Sequence, residues 1–118
     1  MSYVDGFVLP VPKKNLAAYE KMAKLGSKVW KDHGAIDYHE CVADDVKPGK
    51  YTSFPQSVKL KKNEVVIFAY IVYKSRKDRD RINKLVMSDK RFANMSAKDM
   101  PFDGKRMFMG GFKTLVSY

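Results

Sequence analysis

The ten residues Glu64 to Tyr73, EVVIFAYIVY, constrain this chain more than any other segment. From Val65 to Tyr73 the run is unbroken in apolar and aromatic side chains and rich in β-branching, which is the composition of a strand. A strand sends successive side chains to opposite faces, so an unbroken run is apolar on both. An antiparallel sheet with helices on one side alternates apolar and polar residues instead. The second face of this strand therefore needs a cover. A second copy of the chain is the economical one, because closed twofold dimers dominate soluble oligomers. The alternative cover is the C-terminal tail or the loop from Asp44 to Asn63.

The flanking pattern supplies the rest of a fold. Tyr3 to Val11 reads as a strand with Tyr3, Phe7, Leu9 and Val11 on one face and Val4, Gly6 and Val8 on the other, ended by Pro10 and Pro12. A helix is expected from Asn15 to a stop at Gly34. Its apolar stripe is Leu16, Tyr19, Ala23, Gly26, Val29 and Trp30, with Lys21, Lys24, Lys28 and Lys31 facing away. Ala35 to Ala43 reads as a second strand, with Ile36, Tyr38, Glu40 and Val42 on one side and Asp37, His39, Cys41 and Ala43 on the other. Tyr51 to Leu60 is expected to hold a short extended piece. Ser75 is a good N-cap for a second helix, whose inner side carries Ile82, Leu85 and Val86 between Asp78 and Asp89. Phe92 to Ala97 adds a short helical turn, and Asp103-Gly104 has turn chemistry. Arg106 to Val116 is the last strand, where Gly110-Gly111 signals a bulge or a close backbone approach.

The order is β-α-β-β-α-β, the ferredoxin-like pattern of an α+β domain: a four-stranded antiparallel sheet with two helices on one face. The 118 residues fit one domain, 1–118, since halves would be too small to bury a core. No stretch is long and apolar enough for a membrane span, so no membrane partner is expected. The first residues lack a basic and apolar leader, and a single cysteine, Cys41, suits a reducing compartment. Together these features lead to a cytoplasmic expectation.

Several blocks resemble a known family. Tyr3-Val4-Asp5-Gly6-Phe7, Met87-Ser88-Asp89, Met100-Pro101-Phe102-Asp103-Gly104-Lys105-Arg106-Met107 and Gly110-Gly111-Phe112 are similar to the YbaA-like family of uncharacterised bacterial proteins. The resemblance runs nearly end to end, and the long C-terminal block is its specific part. It implies the dimeric α/β-barrel superfamily, in which two ferredoxin-like sheets face each other and whose members include small monooxygenases, isomerases and ligand-sensing domains. It carries over a fold and no catalytic residues.

For function, the leading expectation is a small apolar or aromatic ligand held between sheet and helices, with Tyr3, Asp5, His39, Tyr70 and Arg106 as its polar groups. Asp5 shares a face with Tyr3 and Phe7, so its carboxylate needs a partner, for which Arg106 is one candidate. His39 and Cys41 share a face, as a nucleophile pair or two metal ligands would, but no third ligand is near. Packing explains both residues without chemistry. Methionines and phenylalanines crowd the C-terminal third, as in an adaptable pocket wall or a core. No phosphate loop, paired-cysteine zinc spacing or nucleophile elbow is present, so no metal and no cofactor are expected. Cofactor-independent, monooxygenase-like chemistry on an aromatic substrate is one alternative. The other follows from a net charge of +10, which could attract nucleic acid through Arg76, Lys77, Arg79, Arg81 and Lys84 with Lys59, Lys61 and Lys62. No aromatic residues interleave with these cations as a base-stacking platform would require.

Overall fold

Glu64–Tyr73 is an inner strand of a four-stranded antiparallel sheet, paired with a strand on each edge. The computed structural model describes residues 1–93 and 95–118. The strands are β1 (Tyr3–Pro12), β2 (Asp37–Val42), β3 (Glu64–Tyr73) and β4 (Phe108–Lys113), in the order β2-β3-β1-β4. The helices are α1 (Leu16–Asp32), a one-turn α2 (Phe54–Ser57) and α3 (Arg76–Met87).

The registers Tyr3↔Tyr73, Phe7↔Ala69 and Leu9↔Ile67 put the odd-numbered residues of β1 and β3 on one face. That face receives α1 and α3. Val29 of α1 and Ile82 and Val86 of α3 pack with Ile71 and Tyr73 in one cluster. Tyr19 packs with Leu9, Val11 and Ile67 in another. The stripe expected on α1 is the buried one, and its four lysines are exposed. Ser75 caps α3 by accepting the Asp78 amide at 3.1 Å. Leu85, expected on the inner side of α3, is exposed.

Several local expectations are corrected. Pro10 does not end β1; it pairs with Val66. Because β4 reaches only from Tyr3 to Val8, Pro10 stands where one flank of β1 has no strand beside it, and a residue without an N–H is tolerated there. The segment 51–60 forms α2 rather than an extended piece. Ser53 caps it, Pro55 sits in its first turn, and proline suits a helix start. The Gly110-Gly111 pair causes no bulge, since the register to β1 runs through it unbroken. What approaches Gly111 closely is a side chain rather than a backbone: a β-carbon there would stand 2.5 Å from Tyr3 Oη. The helical turn expected over 92–97 includes Asn94, which lies outside the described residues; three-residue 3-10 turns occupy Lys90–Phe92 and Ala97–Asp99.

The other sheet face is covered in part. Val58 and Leu60, beyond α2, pack with Ala43 on Val8 and Val66. So the loop does cover one end, as one of the two expectations had it. Beyond it, Phe68 is 43% exposed, Phe108 48% and Phe112 63%. The ring of Phe112 lies across the paired Gly6 and Gly110, which have no side chains to displace it.

Candidate functional site

Between α1 and the sheet lies a cavity of about 530 Å³, inside the range of small-molecule sites. The sheet contributes Phe7, Leu9, Ala69 and Ile71 to it, and α1 contributes Met22, Ala23, Gly26 and Trp30. The chain after α3 borders it with Phe92, Met95, Met100, Phe102 and Met107 and leaves it partly open. Methionine and aromatic side chains thus make most of the wall, and flexible thioethers adapt to varied apolar shapes.

One carboxylate enters this wall. Glu40, on β2, accepts a hydrogen bond from Tyr19 Oη to Oε1 at 2.5 Å and from Tyr38 Oη to Oε2 at 2.6 Å. The three side chains all line the cavity. Their meeting follows from two periodicities. Tyr38 and Glu40 are two apart on one strand and so share a face, while Tyr19 belongs to the buried stripe of α1 that packs on that face. Burial, reinforced by the hydrogen bond and charge of Glu40, lifts both phenols far above their ordinary 10.0. They therefore remain protonated donors near neutrality. Gly26 makes room for the arrangement, since a β-carbon there would stand 2.8 Å from Tyr38 Oη.

A second polar cluster lies near the start of β1. Asp5 is fully buried and faces Arg79 Nη1 at 3.2 Å and Asn83 Nδ2 at 3.4 Å. Arg79 donates to Tyr3 Oη at 3.3 Å and stands 5.0 Å from the centre of that ring. Arg79 Nε is 2.9 Å from Asp80 Oδ1 but lacks hydrogen-bond alignment with it. Trp30 Nε1 donates to Tyr73 Oη at 3.1 Å and Asn83 Oδ1 at 3.0 Å, which turns the polar edge of the indole towards this cluster. Burial and the charge of Asp5 raise the Tyr73 phenol.

The five expected polar groups do not converge. Tyr3 and Asp5 meet in the Arg79 cluster. His39 and Tyr70 stack on the opposite sheet face, with ring centres 5.0 Å apart, and His39 Nε2 lies 2.9 Å from Asp37 Oδ1. Arg106 is elsewhere again: its guanidinium grips Glu64 at 2.7 and 2.6 Å and reaches the carbonyls of Val58 and Lys59. That pairing, not one with Asp5, holds the Glu64 carboxyl below its ordinary range. None of the five lines the 530 Å³ cavity. Cys41 shares the open face with His39 and is exposed.

Residues 2–104 match the family described as "Protein of unknown function (DUF1428)". The chain belongs to this family. Over 116 residues the DUF1428 chain is 45% identical to "Uncharacterized protein YbaA" of Escherichia coli (strain K12), with 98% of each chain covered. The same figures hold for the protein of that name from Shigella flexneri. Among solved structures it is similar to "De novo designed protein Foldit4", at 9% identity and a TM-score of 0.47, over 97% of this chain and 99% of that one.

Sequence reasoning missed the carboxylate at the heart of the DUF1428 cavity. The available signal was a single acid, Glu40, on a strand face otherwise made of Ile36, Tyr38 and Val42. The basic stripe expected on α3 is also thinner than its sequence. Arg79 turns inward to Asp5, and Arg81 pairs with Asp78 at 3.0 Å, while Arg76, Lys77 and Lys84 stay exposed. No helix among the described residues is long and apolar enough to cross a membrane.

Proposed function

We propose that this protein binds a small, largely apolar or aromatic molecule in the cavity between α1 and the sheet. One observation carries the reading: a 530 Å³ cavity walled by methionines and aromatic rings, with a single carboxylate inside. A core built only for packing closes such space, because interiors reach crystal-like density. Trp30 is the chain's one tryptophan and lines the cavity, so its fluorescence is a built-in reporter. Titration with ethylbenzene is expected to change Trp30 emission saturably. Ala23→Leu, which fills the cavity from α1, is expected to abolish the change while leaving the far-ultraviolet circular dichroism intact. An unsaturable response equal in both proteins refutes the reading.

A second reading concerns assembly, and the exposed aromatics of the open sheet face favour it. Phe68, Phe108 and Phe112 form an apolar face that the 44–63 loop covers only in part, Phe54 meeting Phe68 edge-on at 6.1 Å. The element order with strands β2-β3-β1-β4 is consistent with a ferredoxin-like domain. Two such domains pairing sheet to sheet would give a dimeric α/β barrel and cover those rings. Light scattering after size exclusion is expected to give twice the 13.6 kDa chain mass. A monomer at micromolar concentration refutes this assembly.

A further inference from the structure

We infer that the cavity selects molecules that bring a hydrogen-bond donor on an apolar body, and in particular an aromatic or alkyl amine in its ammonium form. The inference rests on the cavity reading above and adds the chemical class of the occupant.

The first ground is what the wall lacks. The chain carries 23 Lys and Arg residues, yet no Lys, Arg or His is among the described residues that line the cavity. An anionic ligand would lose its hydration there and meet no compensating cation, a costly exchange. The charge balance inside the cavity is thus opposite to that of the whole molecule.

The second ground is what the wall offers. Among its described side chains, the polar groups are the Glu40 carboxylate, the Tyr19 and Tyr38 phenols and the Trp30 indole N–H. Both phenols already donate to Glu40. The indole N–H of Trp30 is committed to Tyr73 and Asn83. Among the described lining residues no side-chain donor is left over for a ligand. Acceptors are: an ionised carboxylate takes about four hydrogen bonds, of which two are filled here. A ligand carbonyl or carboxylate finds no side-chain donor among the described lining residues, whereas an N–H finds an anchored carboxylate.

The third ground is the aromatic surround. The ring of Trp30 lies 5.9 Å from that of Tyr38 and 5.9 Å from that of Phe92. Ring faces attract cations, and the attraction grows when the pair is shielded from water. The two phenols hold Glu40 in place before any ligand arrives, so little ordering is lost on binding.

The test compares three probes with the same ring: 2-phenylethylamine, ethylbenzene and 3-phenylpropionate, each titrated at pH 7.5 against Trp30 fluorescence. The amine is expected to bind roughly 10- to 100-fold more tightly than ethylbenzene, the ratio of a hydrogen bond to a charged group. The acid is expected to bind more weakly than either. Glu40→Gln is expected to abolish the preference for the amine while ethylbenzene binding persists. Because the three-probe ranking uses the unmodified protein, it stands even if Glu40→Gln fails to fold. Equal binding of amine and ethylbenzene overturns the inference and leaves the cavity reading intact. Tighter binding of the acid does the same. No saturable binding of any probe overturns both.

Discussion

The ring of Tyr3 lies directly over the α-carbon of Gly111, on the neighbouring strand. A β-carbon at Gly111 would stand 2.5 Å from Tyr3 Oη and 2.7 and 2.9 Å from two ring carbons. The ring has little freedom to yield, since Tyr3 is buried and its hydroxyl accepts from Arg79. Gly111→Ala is therefore expected to destabilise the fold by about 1–3 kcal/mol, as overpacking does, and to lower Tm by roughly 4–10 °C. Gly110→Ala is the control next door. Its β-carbon would meet Phe112 at 3.6 Å, an ordinary contact, and its Tm is expected to fall less than half as far. Thermal melts of the two variants decide the matter; equal losses would mean that strand geometry, not the Tyr3 contact, needs glycine here.

The raised phenols give a second prediction, at high pH. Tyr19, Tyr38 and Tyr73 have their folded pKa values lifted above the ordinary 10.0, first of all by burial. The unfolded chain then loses these protons before the folded one as pH passes 10. Stability is full below pH 10 and declines as pH rises beyond it. Tm measured from pH 8 to 11 is expected to fall over the last unit. Tyr19→Phe removes one such proton and one bond to Glu40. It is expected to cost about 1–2 kcal/mol at pH 8 and to flatten the fall above pH 10. A slope unchanged in Tyr19→Phe would show that this phenol ionises in the folded chain as it does in the unfolded.

Periodicity made the sheet and the inner faces of α1 and α3 legible, because burial of a repeating face is a local property of the sequence. Tyr19, Val29, Ile82 and Ile71 are buried where their spacing puts them. Pairings across long separations were not legible. Asp5 and Arg79 are 74 residues apart, and nothing local distinguishes Arg79 from the exposed Arg76 and Lys77 of the same helix. The same holds for Arg106, whose partner Glu64 is fixed by how the last turn folds back on the start of β3. The cavity itself was half legible. Its methionines and phenylalanines were visible as an adaptable set. That they surround Glu40 rather than His39 depends on which face of β2 meets α1; Asp5 shares the helix-covered face but lies further along the sheet, where Arg79 of α3 engages it.

Asp89 supplies a prediction at low pH. Its carboxylate accepts from Arg91 Nε and Nη2, both at 2.9 Å, and from the Arg91 amide, while His33 Nε2 lies 2.7 Å away. Arg91 also reaches Asp32 at 2.7 Å. These contacts tie the end of α1 to the segment that carries Phe92 into the cavity wall. The bonds from Arg91 hold the Asp89 carboxyl well below its ordinary 3.8. A depressed carboxylate contributes stability that is present above the unfolded pKa and lost as pH falls through the folded one. Tm is expected to drop as pH is lowered from 5 to 3. Asp89→Asn starts lower at pH 6 and is expected to lose less over the same range. If the variant loses as much, other carboxylates dominate the acid limb.

Phe112 separates assembly from folding. Its ring is 63% exposed on the open sheet face and lies over two glycines, so the chain alone derives little burial from it. In the proposed sheet-to-sheet dimer the same ring would be buried against the partner. A charge placed there, as in Phe112→Asp, would have to be desolvated without a counter-charge, which is strongly unfavourable. The variant is expected to run as a monomer by light scattering at concentrations where the parent is a dimer. Its far-ultraviolet circular dichroism should match the parent. The affinity of the cavity for ethylbenzene should also hold, because the cavity lies on the other side of the sheet. A Phe112→Asp protein that remains dimeric would remove this face from the interface. Joint loss of dimer and ligand would show that the two sides of the sheet are coupled.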